Sequence, residues 1–261
     1  MCGVIGYAGR RNAAERLLNG LERLEYRGYD SAGICLLEDG RLELTKAVGK
    51  LVNLKRKAHG NTNGSITGIG HTRWATHGGV TEENAHPLMA GGHKDVAIVL
   101  NGIIENHATI RRQLTSEGET FASETDAEVV AHLVRRAYCG SLADAVRTAY
   151  EQLEGHFAFL VAHRDQPGLL VGTRRHCPLL VGVGDDEMFL ASSATAFIGD
   201  TRRVMLIDDN EVVAITAEHA RVIDARGRVQ ERAQITVPGD AAATECGEYD
   251  TYMLKEIKYV V

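Results

Sequence analysis

Stretches that read as strands crowd the two ends of this chain, and stretches that read as helices lie mainly between them. A short apolar strand opens at Cys2-Gly3-Val4-Ile5-Gly6, and strand-like runs follow at 32–37, 41–47, 66–72 and 96–100. Asp39-Gly40 supplies a hairpin turn between residues 37 and 41. Helical spacing appears first over residues 12–25, where Ala14, Leu17, Leu18, Leu21 and Leu24 share a face. It takes over after Asn101-Gly102. Residues 105–117 and 125–138 read as helices, the second with Val129, Val130, Leu133, Val134 and Ala137 on one face. Ser141 heads a third, which Gly155 is expected to end. From Phe157 onward only short strands remain, at 157–162, 169–172, 179–183, 188–191, 204–207 and 212–215, while polar residues 55–65 read as a surface loop. Regular strand–helix–strand alternation is missing, which argues against a doubly wound parallel sheet. The pattern predicts α+β: antiparallel sheets stacked in layers, with helices on their outer faces.

Composition narrows the function classes. The chain has 261 residues, enough for one large or two small domains, and 25% of them are charged. The net charge is −6, and Arg111-Arg112 and Arg135-Arg136 are scattered along helix-like stretches as solvated faces. A nucleic-acid binder needs a concentrated basic stripe, so no nucleic-acid partner is expected. No apolar run approaches the ~20 residues of a membrane span, so no membrane association is expected either. The five cysteines (Cys2, Cys35, Cys139, Cys177 and Cys246) are widely spaced without a CxxC pair. They read as free thiols in a reducing cytoplasm. The eleven histidines lack HExxH or paired Cys/His spacing, so neither a metal nor another cofactor is expected.

Four blocks carry residues suited to chemistry. If Met1 is removed, Cys2 holds both a thiol and a free α-amine, whose ordinary pKa of about 7.7–8.0 lets it act as a base towards its own sulfur. Arg73-Trp74-Ala75-Thr76-His77-Gly78 ends a strand and contains the sole tryptophan; its arginine offers a planar fork for a carboxylate. Asn101-Gly102 pairs a side-chain amide with an unhindered backbone N–H, which together can cradle an oxyanion. Ser123-Glu124-Thr125-Asp126 places a carboxylate before a helix. Each has a plainer reading: an accident of the translation start, a surface ion pair beside a core tryptophan, a turn, and a helix N-terminal carboxylate.

Together the blocks are specific. Cys2-Gly3-Val4-Ile5-Gly6, Glu25-Tyr26-Arg27-Gly28-Tyr29-Asp30-Ser31-Ala32-Gly33, His71-Thr72-Arg73-Trp74-Ala75-Thr76-His77-Gly78, Asn84-Ala85-His86-Pro87, Asn101-Gly102-Ile103-Ile104-Glu105-Asn106 and Ser123-Glu124-Thr125-Asp126 follow the order and spacing of one family. They resemble the glutaminase domain of the glucosamine-6-phosphate synthases, which are class II glutamine amidotransferases. Relatives acting on phosphoribosylpyrophosphate would carry Gln at Tyr29, and asparagine synthetases Pro. The resemblance implies an N-terminal-nucleophile hydrolase fold, a four-layer αββα sandwich. It implies that Cys2 attacks the side-chain amide of L-glutamine to form a γ-glutamyl thioester, its own amine passing the proton to departing ammonia. Asn101 and Gly102 would form the oxyanion hole, Arg73 would bind the α-carboxylate, and Asp126 would bind the α-ammonium. Thr76 and His77 would line the pocket, Trp74 would stand where ammonia leaves, and Arg27 would hold the loop around the nucleophile. An N-terminal amine makes a second base unnecessary, so His77 and His86 are read as pocket wall or structural.

The resemblance covers about residues 2–220. It implies a glutaminase domain over 2–224, then a linker and exit segment over 225–261, in which Tyr252–Ile257 leads towards sugar-isomerase domains absent from this sequence. The expected partners are L-glutamine and an ammonia acceptor, as a further domain or a separate protein, and a homodimer is compatible. Leu100, Leu88 and Ser193 stand where the family usually has His, His and Asp; Leu100, beside the oxyanion donors, is expected to alter pocket polarity. Two other functions stay open: an amidase for a different amide, and a regulatory scaffold without turnover.

Overall fold

A computed structural model describes residues 2–59 and 64–238. In chain order the strands are β1 (Gly3–Ala8), β2 (Ser31–Glu38), β3 (Arg41–Val48), β4 (Thr67–Arg73), β5 (Leu88–Met89), β6 (Val96–Ile104), β7 (Gly155–His163) and β8 (Leu170–Arg175). They continue as β9 (Leu180–Val183), β10 (Met188–Ala191), β11 (Arg203–Leu206), β12 (Val212–Ile215), β13 (Ala220–Ile223), β14 (Val229–Gln230) and β15 (Gln234–Thr236). The helices are α1 (Ala13–Leu24), α2 (Leu51–Ala58), α3 (His107–Ser116), α4 (Glu128–Ala137) and α5 (Leu142–Tyr150).

Two antiparallel sheets form. The first runs β15-β11-β9-β10-β1-β4-β2-β3 and the second β14-β13-β12-β8-β7-β6-β5. Successive strand residues point to opposite faces, and both faces of each sheet are covered, so the strands read as continuous apolar runs. In β1, Ile5 and Tyr7 meet α1, whereas Val4 and Ala8 enter the gap between the sheets. In β6, Ile98, Leu100 and Ile104 meet α4, whereas Ala97 and Val99 enter the gap. Three apolar layers result: α1 and α2 on the first sheet, α4 and α5 on the second, and an inter-sheet core between. This is an αββα sandwich. α1 starts at Asn12, whose side chain accepts the Glu15 N–H at 3.0 Å.

Several boundaries differ from expectation. Residues 55–58 of the expected loop belong instead to α2, because Leu51, Leu54 and Ala58 bury one helical face beneath a polar majority. α5 ends at Tyr150, and Gly155 opens β7. β6 continues through Asn101-Gly102 to Ile104 instead of turning there. Within the expected linker, β14 pairs with β13 and β15 with β11, so both sheets extend past residue 224. The remainder of that linker and the exit segment, 239–261, lie outside the described residues, as does Met1. Among the described residues no helix is long and apolar enough to cross a membrane.

Candidate active site

At one end of the inter-sheet gap the inward positions turn polar. Cys2 directly precedes β1, β4 ends at Arg73, and β6 carries Asn101; their positions all face the gap by the two-residue period that sends Val4, Ile69 and Val99 there. Cys2 N donates to Asn101 Oδ1 at 3.0 Å. That bond spends the amide's acceptor and orients the group. Its Nδ2, in a residue only 3% exposed, has no hydrogen-bond partner among the described residues.

The Cys2 thiol lies against the Trp74 backbone: Trp74 N–H reaches Sγ at 3.4 Å, and Sγ lies 3.7 Å from Trp74 O. Burial raises the thiol pKa, and the Trp74 N–H and the Arg73 charge only partly oppose this. Burial thus disfavours the thiolate, the form that acts as a nucleophile. Trp74 itself is 40% exposed and meets Tyr29 edge-on at 5.6 Å, forming an aromatic rim.

Backbone contacts hold this rim in place. Gly28 lies so close to Arg73 and Trp74 that a Cβ there would meet the Arg73 carbonyl carbon at 2.6 Å. Asp30 Oδ2 accepts the Ala75 N–H at 2.9 Å, and Arg73 O accepts the Asp30 N–H at 3.1 Å. The run Arg27-Gly28-Tyr29-Asp30 is thus a cradle for the residues after β4. Arg27 itself is buried and donates to Ser192 O at 3.4 Å; Ser192 in turn accepts the Val4 N–H through its hydroxyl.

Arg73 Nη1 donates to Gly79 O at 3.0 Å, and Nη2 donates to His77 O and to Gly78 O. Nε–H and one Nη1–H remain for a ligand. Asp126 does not cap α4. Its Oδ2 accepts the Ile104 N–H at 2.8 Å, while Oδ1 lies 3.7 Å from His77 Nδ1. Arg73 and Asp126 therefore put opposite charges around Cys2, and both act on the thiol. His77 also meets His107 edge-on at 5.1 Å, a neighbour the motifs did not single out. Thr76 is exposed on the same loop, and no hydrogen bond joins it to Cys2.

Ladder parity places the Gly102 N–H. β5 covers only Ile98 and Ala97, leaving the later part of β6 with an open edge. On that edge Leu100 O meets His71, and Ile104 N meets Asp126, while Glu105 N faces the other way, to Glu154. Gly102, midway between Leu100 and Ile104, turns its N–H to the open edge too. Its φ is +115°, and a Cβ there would meet His156 O at 2.1 Å, so glycine is required. Leu100 does not alter pocket polarity: its side chain packs with α4, on the face opposite Asn101. Leu88 likewise joins the helix-side core, and Ser193 caps the turn at Thr195.

Residues 71–199 match the family described as the glutamine amidotransferase domain. This chain carries a glutamine amidotransferase domain. It is 47% identical over 260 residues to the glutamine–fructose-6-phosphate aminotransferase (isomerizing) of Streptomyces coelicolor, and 44% identical over 257 residues to that of Clostridium tetani. Each alignment covers 98% of this chain and 42% of the relative, so the chain spans well under half the length of these proteins. Among solved structures, the glutamine phosphoribosylpyrophosphate amidotransferase from B. subtilis superposes with a TM-score of 0.74 at 26% identity, covering 87% of this chain and 50% of that one. The αββα sandwich is accordingly of the N-terminal-nucleophile hydrolase type. The family match begins at His71 and leaves out Cys2, whose placement rests on the geometry above.

Proposed function

We propose that this amidotransferase hydrolyses L-glutamine to L-glutamate and ammonia through Cys2. One observation carries the reading: the Cys2 nitrogen is bonded to Asn101 Oδ1, which leaves a buried Nδ2–H beside the nucleophile without another partner. With Met1 removed, that nitrogen is the α-amine. Its ordinary pKa near 7.7–8.0 makes it a base at neutral pH, suited to a thiol whose ionisation burial disfavours.

The α-amine takes the thiol proton as Sγ attacks the glutamine side-chain carbonyl. The oxygen, now negative, receives hydrogen bonds from Asn101 Nδ2 and Gly102 N, which contribute mainly in the transition state. The amine returns its proton to the departing nitrogen, the C–N bond breaks, and ammonia leaves past Trp74. Water then attacks the γ-glutamyl thioester, giving glutamate and restoring the thiol. Arg73 takes the α-carboxylate through its remaining N–H groups, and Asp126 takes the α-ammonium with His77 and Thr76 at the wall. Arg27 supports β1 through Ser192. This pair of charges favours an amino acid over an uncharged amide.

The ammonia goes to an acceptor. Fructose 6-phosphate is the acceptor that the relatives' name implies, carried on a further domain or on a separate protein. A reducing cytoplasm suits a catalytic thiol. Cys2→Ala is expected to abolish glutamate release from glutamine, and mass spectrometry of the active protein is expected to show Cys2 at its front. Full glutaminase activity in Cys2→Ala, or in protein retaining Met1, would refute the mechanism.

A further inference from the structure

The two halves of the site belong to different sheets. Cys2 and Arg73 stand on the first and Asn101 and Gly102 on the second, so their alignment depends on what spans the gap beside them. Elsewhere that gap is filled by aliphatic side chains, which slide past one another without directional preference. Here His71, fully buried on β4, crosses it: Nε2 lies 2.9 Å from Leu100 O on β6. A carbonyl only accepts, so this bond requires the hydrogen on Nε2, and in the neutral ring Nδ1 is then bare. Leu100 directly precedes Asn101, and its carbonyl shares the open edge with the Gly102 N–H. The bond therefore grips the peptide adjoining one oxyanion donor and two residues from the other.

His71 is itself held. It stacks on His86 with ring centroids 4.4 Å apart, and His86 is pressed inward because Gly33 has no side chain; a Cβ there would meet His86 O at 2.2 Å. Burial lowers the His71 pKa to about 3, despite the Leu100 carbonyl and with help from the Arg73 charge. Burial likewise lowers that of His86, which faces His71, Arg73 and Lys46.

We propose that His71 is the positioning residue of the oxyanion hole: as a neutral Nε2–H imidazole it ties the second sheet to the first at Leu100 and so aligns Asn101 and Gly102 with Cys2 Sγ. The role rests on the glutaminase reading of the site. It touches no substrate, so its loss should appear in the chemical step and not in binding.

The test compares His71→Leu, which keeps bulk without a donor, with His71→Gln, whose amide nitrogen can occupy the Nε2 position, both in the full chain. His71→Leu is expected to lower kcat for glutamine about 10-fold or more, since small misplacements near a reacting atom are costly. KM and the rate of Cys2 alkylation by iodoacetamide should stay within about twofold, because neither uses the oxyanion donors. His71→Gln should recover most of kcat. An unchanged kcat in His71→Leu, an equal loss in both variants, or an equal loss in alkylation would overturn the role. Should His71→Leu fail to fold, histidine nitrogen NMR of the wild type decides: an Nε2–H tautomer uncharged from pH 5 to 8 is expected, and an Nδ1–H or protonated ring overturns it. Wild-type protein that releases no glutamate would instead defeat the glutaminase reading, leaving the tautomer measurement to judge His71 separately.

Discussion

The two ends of the inter-sheet gap are built on the same parity and filled in opposite ways. At the far end Ala8, Leu37, Ala97, Ala162, Met188 and Ile215 close an apolar core. At the near end the equivalent positions hold Cys2, Ser31, His71, Arg73 and Asn101, and Ser31 Oγ, His71 Nδ1 and Asn101 Nδ2 have no partner among the described residues. Unpaired buried polar atoms each cost on the order of 1–3 kcal/mol. The far end thus gains stability from apolar packing, and the near end gives part of it up to polar groups, among them the Asn101 Nδ2 that the proposed mechanism uses.

Substitutions at the two ends should therefore separate stability from turnover. Asn101→Ala is expected to lower kcat about 10²–10³-fold, roughly 2.7–4 kcal/mol of barrier, because it removes a transition-state donor. The thermal midpoint should not fall with it. Leu160→Ala, in the apolar part, should instead cost about 2–5 kcal/mol of unfolding free energy in denaturant titration. The kcat of its folded fraction should be unchanged. Equal loss of stability in both variants would erase the contrast between the ends.

A subtler probe is Glu128, which backs the loop carrying Asp126. Its carboxylate accepts N–H groups from Gly91, Ala122 and Ser123 and the Ser123 hydroxyl. Burial alone would raise its pKa, but these bonds and His132 outweigh it and hold the value at about 2. A depressed carboxyl pKa means stability present above the unfolded value near 4.3 and lost as pH falls towards 2. Wild-type protein should lose stability across that window, and Glu128→Gln should lose less there while being less stable at pH 7. Circular-dichroism melts at both pH values check this. The smallest effect is expected from Lys57→Ala, which breaks an exposed pair with Glu82 and should change stability by less than about 1 kcal/mol, with kcat unmoved.

Much of this was legible in the residue order. The apolar spacing of α1, α4 and α5 announced the outer layers, and the motifs around Cys2, Arg73, Asn101 and Asp126 named residues that the fold gathers at one end of the gap. What escaped has physical causes. The second helix hides behind Lys55-Arg56-Lys57, because only three of its residues touch the core. Asn101-Gly102 suggested a turn since glycine ends many strands, yet here Gly102 is a strand residue whose missing side chain admits the neighbouring backbone. Strand parity would have cleared Leu100 of a pocket role, since adjacent residues face opposite sides. His71 gave no such signal: its partner is a backbone carbonyl, and only the packing of two sheets reveals which one.

The sheet order has a bearing on synthesis. The first strand made is an inner one, and its second neighbour, Met188–Ala191, is nearly two hundred residues away in sequence. At roughly 5–20 residues per second, the ribosome delivers that neighbour on the order of ten seconds or more after the first strand. Throughout that interval the strand Gly3–Ala8 lacks one of the two neighbours that enclose it in the finished sheet.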